Sequence, residues 1–386
     1  MSDKQRWHFA SCSLGFEDLL ADEVRAAGGT RIREDRGGVS FQATRSAGYA
    51  LCLWSRIGIR VFEEVVRHRI SSLDELYALV RDVPWTRYLR ADQTFAVYAD
   101  ATSPLVRNTA FAALRVKDAV VDRIRDDTGR RPDVDREAPD LPLKLIVKGN
   151  VATLSRDLAG ESLHRRGWRP VQVKSPLNEA LAAGLLMRTG WDRQSPLCDP
   201  MCGSGTLLVE AAHLASDRAP GLSRSFAFEG WLDADADAIA SLRRDAEERC
   251  EAGRASLPCL LGNDHHAGAI AIARDAAERA GVADAIHLSN QPLHLFRPVP
   301  TPEVVVVNPP FGVRIGHDDD LAETWRQLGT WLKDVGQGEA WVLSGDADLT
   351  SHLRLKADQR HPVRNGGLDC RWLRYPLRRR QSPPLA

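Results

Sequence analysis

Asn308, Pro309, Pro310 and Phe311 combine a carboxamide, a rigid turn and an aromatic ring directly after four valines at positions 304–307. Proline fixes φ and lacks a backbone donor, so the two prolines hold the Asn308 side chain and the Pro309 carbonyl in one orientation. Two fixed acceptors suit an exocyclic amine, and stacking of a base on Phe311 contributes about 1–3 kcal/mol. The motif predicts a pocket for a planar, nitrogen-bearing substrate, whereas the alternative is an ordinary strand end followed by a proline turn.

A second motif lies upstream, where a short apolar lead gives way to a glycine-containing loop and then to a helical pattern. Its residues are Asp199, Pro200, Met201, Cys202, Gly203, Ser204, Gly205 and Thr206. Glycines let the backbone approach a ligand closely, and the N-terminus of the following helix offers unpaired N–H groups. A phosphate-binding P-loop is disfavoured because no Gly-Lys-Ser/Thr follows, and the three-glycine dinucleotide spacing is also missing. We interpret the segment as a cofactor-binding loop.

A third motif is the apolar segment that ends at Asp264, with a helical pattern over 267–280 behind it. In doubly wound sheets, an acid at the carboxyl end of the second strand commonly accepts hydrogen bonds from a ribose. Asp264 is our candidate for that role, although Asp is also among the preferred N-cap residues of helices. Asn290, after the next apolar segment, has an amide oxygen that can accept one hydrogen bond.

These motifs need parallel strands that end at one sheet edge, and the order of strand, loop and helix over the second half of the chain predicts an α/β domain. The 386 residues allow two or three domains. Alternating segments at 94–98 and 143–148 predict small α+β modules in the first half. Residues 226–254 are predicted to form an insert with one amphipathic helix.

The order of the three motifs resembles that of S-adenosylmethionine-dependent methyltransferases, with residues 199–206 as the glycine loop, Asp264 as the ribose acid and residues 308–311 as the substrate motif. A glycine loop followed by Asn-Pro-Pro-Phe after the fourth strand is similar to enzymes that methylate exocyclic or amide nitrogens. The resemblance implies S-adenosyl-L-methionine as cofactor. It also implies that Asn290 accepts a hydrogen bond from the adenine amine, at a position where such enzymes often have Asp. It also implies that Asn308 contacts both cofactor and substrate amine, while the catalytic motif continues through Phe311.

The first half of the chain resembles THUMP-bearing RNA guanine-N2 methyltransferases, in residues 53–56, 116–122 with 131–135, and 159–169. The chain from about residue 7 to 375 is similar to the N-terminal half of a bifunctional bacterial 23S rRNA (guanine-N2)-methyltransferase. Phe311 departs from this family, which usually has Tyr there, and the second half of the fusion is absent. The departure keeps the stacking ring and loses a hydroxyl.

The resemblance implies a Rossmann-like, seven-stranded class I methyltransferase domain preceded by an α+β ferredoxin-like and THUMP region. We expect four segments: a ferredoxin-like subdomain over 1–60, a THUMP RNA-binding domain over 61–158, a linker over 159–176 and a methyltransferase domain over 177–380. The implied reaction is direct methyl transfer to the exocyclic N2 of a guanine in 23S rRNA, and the implied partner is that RNA or a large-subunit assembly intermediate. Residues expected to contact RNA are Lys117, Arg165, Arg166, Arg169 and Arg314.

Composition limits the other possibilities. The formal net charge is zero, with 52 basic and 52 acidic residues, so only local basic clusters can hold nucleic acid. The seven cysteines have no zinc-site spacing, and the adjacent pair His265 and His266 has no third spaced ligand, so no metal is predicted. The polar N-terminus and the lack of a membrane-length apolar run predict a cytoplasmic protein.

Three alternatives stay open at this stage. A tRNA guanine-N2 methyltransferase would have the same domain order and chemistry with a different target. A non-catalytic RNA-binding ribosome assembly factor would keep the fold, although the intact glycine loop, Asp264 and Asn308 argue against it. A DNA adenine methyltransferase shares the Asn-Pro-Pro-aromatic motif but is not expected to carry this N-terminal half.

Overall fold

The structure is a computed structural model that describes residues 4–169, 177–311 and 318–378, with side chains omitted for 318–320. Contacts divide the chain into two compact units. The first unit takes its residues from 1–12, 20–163 and 224–244, and the second from 13–19, 164–223 and 245–386. Two short segments therefore belong to a different unit from the sequence around them: residues 13–19 to the second unit and residues 224–244 to the first.

The first part of the chain alternates strands and helices over residues 6–157. In chain order these elements are β1 Arg6–Ser11, α1 Glu17–Ala26, β2 Thr30–Asp35, β3 Gly38–Ala43, α2 Arg45–Trp54, β4 Arg60–Arg69, α3 Leu73–Arg81, β5 Thr94–Thr102, α4 Thr109–Thr128, β6 Asp133–Val134, β7 Leu141–Lys148 and β8 Val151–Asp157. Their eight strands form one mixed sheet in the order β2-β3-β1-β4-β8-β7-β5-β6. The predicted α+β character of this half agrees with this arrangement.

The remaining elements build the second unit, apart from the first part of α7. In chain order they are α5 Glu179–Thr189, β9 Leu197–Asp199, α6 Thr206–Ala215, α7 Ala236–Arg254, β10 Leu260–Asn263, α8 Ala267–Arg279, β11 Ile286–Ser289, β12 Val304–Val307, α9 Asp318–Val335, β13 Glu339–Ser344, α10 Ala347–Ser351, β14 Gln359–Asn365 and β15 Leu368–Pro376. Helix α7 lies within the insert predicted at 226–254.

The second sheet has seven strands in the order β11-β10-β9-β12-β13-β15-β14. The first five pair in parallel, whereas β15 runs antiparallel to both β13 and β14. All four valines of β12 are buried, as expected for a strand covered on both faces. Trp325 and Trp331 of α9 pack in the same core as Val305 and Val307. This parallel core places the carboxyl ends of β9 to β13 along one edge.

A buried ion cluster explains why segment 224–244 groups with the first unit. Arg156 is fully buried; its Nη1 lies 2.8 Å from Asp233 Oδ1, and its Nη2 bonds Glu63. The guanidinium carbon lies 4.1 Å from the Trp231 ring centroid and 4.7 Å from that of Tyr88. Burial opposes ionisation of Glu63, but Arg156 foremost outweighs that cost and holds the pKa of Glu63 below its ordinary value. The guanidinium thus ties two residues of the segment to the sheet of this unit.

Among the described residues, no helix has the length and apolar character needed to cross a membrane.

Arg156→Ala should lower the free energy of unfolding by about 3–5 kcal/mol, because it leaves the Glu63 carboxylate buried without its main counter-charge. Arg279→Ala is the control, since Arg279 forms an exposed i,i+4 pair with Asp275 and such pairs contribute at most about 1 kcal/mol. Urea denaturation monitored by circular dichroism measures both. Equal losses in the two variants would contradict a special role for the buried cluster.

Candidate active site

The site lies at the carboxyl edge of the second sheet, where neighbouring strands end in polar residues. Strand β9 ends at Asp199, β10 at Asn263, and the chain leaves β12 at Asn308. Because these strands are parallel neighbours, the loops that follow them meet at one edge. The structure therefore brings together three motifs that are spread over residues 199–311 of the sequence.

The glycine loop adopts a conformation that depends on glycine at two positions. Gly203 and Gly205 have φ values of +53° and +76°, in the left-handed region that side chains rarely adopt. A Cβ at Gly203 would meet no atom within 4 Å, so the backbone there faces open space. A Cβ at Gly205 would lie 3.1 Å from the Cβ of Ala273 in α8. One glycine thus leaves room for a ligand, and the other lets α6 pack closely on α8.

Asn263 joins the loops that follow β9, β10 and β11, a role that was not predicted from the sequence. Its side chain is buried, and its Nδ2 donates to the carbonyls of Pro200 at 3.2 Å and Gln291 at 3.1 Å. Its Oδ1 accepts from the Gln291 N–H at 3.1 Å. One carboxamide therefore fixes the glycine loop against the loop after β11. A polar residue inside a buried strand, one position before the predicted ribose acid, was the available signal.

Asp264 joins the glycine loop to the start of α8. Its Oδ2 accepts from the Gly203 N–H at 3.0 Å and its Oδ1 from the His266 N–H at 2.9 Å. One carboxylate therefore holds both the glycine loop and the turn before α8, whose N-cap is His266 and not Asp264. Asn290 Nδ2 donates to the Asp264 carbonyl at 2.8 Å, so this hydrogen bond uses the NH₂ group of Asn290 and not its amide oxygen. These bonds hold the acid and the amide in fixed orientations.

Asp199 is buried beneath the glycine loop. Its Oδ1 accepts from the Met201 N–H at 3.2 Å, and its side chain has no ion-pair partner among the described residues. Burial raises the pKa of Asp199 to about 8, and the nearby Asp264 carboxylate adds to the shift. Without a ligand, the Asp199 carboxyl group therefore tends to keep its proton, and a neighbouring positive charge would favour its ionised form.

Asn308 has a buried carboxamide oxygen without a partner among the residues that the structure describes. The turn that follows is fixed, because Trp325 Nε1 donates to the Pro310 carbonyl at 3.0 Å. Phe311 is half-buried and packs against the core of this unit. An unsatisfied buried acceptor costs about 1–3 kcal/mol. The arrangement is therefore suited to a ligand that donates a hydrogen bond beside an aromatic ring.

Two linker arginines that were expected to contact RNA, Arg166 and Arg169, instead contact other parts of this unit. Arg166 is buried, and its Nε lies 3.6 Å from Glu210 of α6. Arg169 Nε donates to Glu179 at 2.7 Å, and its Nη2 donates to Thr206 Oγ1 at 3.2 Å. Both guanidinium groups hold α5 and α6 behind the glycine loop, so they are positioned for packing and not for RNA contact.

The other residues expected to bind RNA have different placements. Arg165 is exposed, whereas Lys117 in α4 is partly exposed and lies 2.6 Å from Asp118. Arg314 lies outside the described residues. No group of three or more His, Cys, Asp or Glu side chains that could hold a metal occurs in the parts of the chain that are described. The His265 and His266 rings lie 3.9 Å apart, next to Asp264.

Family comparisons agree with this geometry. The profile described as the RMKL-like methyltransferase domain matches residues 166–374, which is more than half of the chain. The chain belongs to this methyltransferase family. A THUMP domain profile matches residues 71–157, and an RlmL ferredoxin-like domain profile matches residues 8–62. The four domain boundaries predicted from the sequence stay predictions.

Curated relatives of this methyltransferase chain cover nearly all of it. The "Ribosomal RNA large subunit methyltransferase K/L" of Syntrophotalea carbinolica is 41% identical over 379 residues, 96% of this chain and 53% of that relative. The protein of the same name from Methylococcus capsulatus is 38% identical over 94% of this chain and 50% of that relative. The chain thus spans about half the length of the curated relatives it matches.

Solved structures are similar to this methyltransferase chain over its whole length. A structure assigned to a methyltransferase and complexed with SAH has a TM-score of 0.87 at 25% identity, covering 98% of this chain and 100% of that one. A methylase structure from Clostridium difficile 630 also has a TM-score of 0.87, at 27% identity, with 99% and 100% covered. The predicted fold class and the prediction of a methyltransferase are confirmed by these matches.

Asn263→Ala should lower S-adenosylmethionine affinity by at least about tenfold. Three hydrogen bonds between loops are removed, each with a net value of about 0.5–1.5 kcal/mol, and 1.4 kcal/mol corresponds to a factor of ten. Gln194→Ala is the control, because this exposed carboxamide lies in the loop before β9, at the amino end of the parallel strands. Isothermal titration calorimetry measures both; unchanged affinity in Asn263→Ala would contradict the bracing role.

Proposed function

We propose that this chain transfers a methyl group from S-adenosylmethionine to the exocyclic N2 of a guanine in 23S rRNA. The observation that carries the proposal is the buried Asn308 oxygen, which lacks a partner in the described part of the chain and belongs to the residue three positions before the half-buried Phe311. An exocyclic amine supplies the missing donor, and a purine supplies the ring for stacking. The names of the curated relatives support ribosomal RNA as the source of the base.

The proposed cofactor contacts are made by groups that hydrogen bonds within the site hold in place. Asp264 is proposed to accept hydrogen bonds from the ribose, and Asn290 to accept one from the adenine amine. The loop of residues 199–206, with open space at Gly203, is proposed to hold the amino acid part of the cofactor. The buried Asp199 carboxyl then lies near a cofactor cation, which favours its ionised form.

The sulfonium group of the bound cofactor supplies an activated methyl. The task of the protein is mainly alignment, which can supply a large part of the reduction in barrier. Asn308 Oδ1 and the Pro309 carbonyl accept hydrogen bonds from the two amine N–H groups and direct the lone pair at the methyl. As the new N–C bond forms, the electrons of the broken S–C bond stay on the sulfur, which leaves as a thioether. No strong general base is needed before attack, because the amine becomes acidic once it is alkylated and then loses its proton to water. Phe311 holds the base after it leaves its helix.

The target is proposed to be 23S rRNA or a large-subunit assembly intermediate, met in the cytoplasm. Exposed Arg165 and the half-exposed Lys117 stay proposed RNA contacts, as does Arg314 outside the described residues. A tRNA target and a non-catalytic assembly role are separate outcomes of the experiments below.

Asn308→Ala should reduce kcat for methyl transfer about 10²–10³-fold, because the amine loses an oriented acceptor. The measurement is nucleoside mass spectrometry of 23S rRNA and tRNA fractions from cells that lack the chain and are complemented with either version. The wild-type chain should restore N2-methylguanosine in 23S rRNA, and Asn308→Ala should not. Gln194→Ala serves as the complementation control, since it removes an exposed carboxamide from the loop before β9, at the end of the sheet away from the site.

Each remaining outcome of that experiment has a distinct meaning. Restoration in tRNA alone would replace the rRNA target with tRNA. Full restoration by Asn308→Ala would contradict the role given to the carboxamide. The absence of any change in either fraction would favour the non-catalytic assembly role.

The affinity for S-adenosylmethionine should rise about tenfold between pH 6 and pH 7 and level off above pH 8. The pKa of about 8 at Asp199 means that a proton must leave before the carboxylate can pair with a cation. The pKa of Asp199 in the folded protein lies above the ordinary value of 3.8, so the protonated form favours the unliganded fold. This contribution to stability is fully present below pH 3.8 and is lost as the pH rises to about 8. Calorimetry at several pH values tests this, with Asp199→Asn expected to remove the slope. A wild-type affinity independent of pH would overturn the assignment.

A further inference from the structure

A large cavity lies in the second unit and is not used by the reaction described above. Its volume is about 1060 Å³, and its walls come from the end of β13, helix α10, and strands β14 and β15. Small-molecule pockets typically measure about 300–1,000 Å³, so this cavity exceeds the needs of a single base. The hairpin of β14 and β15 turns at residues 365–368, on the same side of the sheet as the carboxyl end of β13.

The cavity is lined by positive charge that the protein does not neutralise. Lys356, Arg360, Arg364 and Arg371 are all exposed, and none forms an ion pair among the described residues. A fifth lining cation, Arg188, is already held by Asp18 at 2.6 Å.

Two carboxylates line the same cavity and do not cancel this charge. Asp346 is engaged as the N-cap of α10, where its Oδ1 accepts from the Asp348 N–H at 2.8 Å. Asp369 is the other, and it lies opposite Arg364 in the register of β14 and β15. The four exposed cations still outnumber the two lining carboxylates by two, and an excess of positive charge in one concave surface is typical of a site for a phosphate backbone.

The cavity adjoins the ring that is proposed to stack on the target base. Gly345 lines the cavity, and a Cβ added to it would lie 3.0 Å from the Phe311 ring and 3.3 Å from Cys370 Sγ. Arg371 pairs with Ser344, the residue just before Gly345, in the register of β13 and β15. A strand that places a base on Phe311 therefore has its neighbouring phosphates next to these cations.

We propose that this cavity binds the single-stranded RNA segment adjoining the target nucleotide, through its phosphates. The inference rests on the proposed function for the choice of RNA. A base that leaves its helix pulls its backbone with it, and holding the adjoining phosphates offsets the cost of unstacking. The cations of β14 and β15 are thus positioning residues for the target nucleotide, and they do not touch the reacting atoms.

The test uses the full chain with the triple variant Arg360→Gln, Arg364→Gln, Arg371→Gln. The matched control is Arg274→Gln, Arg279→Gln, Arg326→Gln, which removes the same charge from exposed positions of this unit that do not line the cavity. The probe is an unmodified bacterial 23S rRNA transcript, and affinity is measured by filter binding from 50 to 300 mM KCl. Each lost single-strand phosphate contact reduces the salt slope by about 0.7, so the cavity variant should lose about 2 from the slope.

The expected result is an RNA affinity reduced by more than tenfold at 100 mM KCl for the cavity variant, with the control variant within twofold of wild type and S-adenosylmethionine affinity unchanged in both. In methyl-transfer assays, KM for RNA should rise while kcat stays within about threefold. Equal losses in the two variants would show a general charge effect and overturn the proposal. Unchanged RNA affinity in the cavity variant would overturn it as well.

The proposed function can fail separately from this inference. If the wild-type chain methylates no guanine in the transcript, the reaction assignment fails. RNA affinity that still depends on the cavity cations would then keep the cavity as an RNA site, whereas its loss would remove both.

Discussion

The carboxamide of Asn263 is the interaction on which the rest of the site depends. A parallel sheet brings the ends of its strands to one edge, but it leaves the loops after those strands free to move. Asn263 removes that freedom, because it bonds the carbonyls that follow β9 and β11 from the end of β10. Asp264 can then hold the Gly203 N–H, and the left-handed turn at Gly203 keeps its open space.

Two groups in this fixed frame are incomplete in the protein alone. Asp199 carries a raised pKa because it is buried without a cation, and Asn308 has a buried oxygen without a donor in the described structure. Both conditions cost stability, and both are relieved by the chemistry of the proposed ligands: a positive charge for one and an amine for the other. The site is thus destabilised where the ligands are expected to bind.

Much of this could be predicted from the sequence, because local patterns carry it. The four valines, the double proline and the glycine loop specify a strand, a rigid turn and a backbone approach within a few residues each. Arg166 and Arg169 were misinterpreted because their partners, Glu210 and Glu179, are defined only once α5 and α6 have packed. The grouping of segment 224–244 was also invisible, since it depends on Arg156 reaching Asp233 across 77 positions of sequence.

The proposed methylation of a guanine N2 in 23S rRNA is tested directly by an assay with the purified chain. The reaction contains an unmodified 23S rRNA transcript and S-adenosylmethionine with a deuterated methyl group, and the digested nucleosides are identified by mass spectrometry. If the chain methylates the guanine N2, the labelled product is deuterated N2-methylguanosine. Label in a methyladenosine, label at another guanine nitrogen, or RNA without label while the cofactor still binds would contradict the proposed methylation.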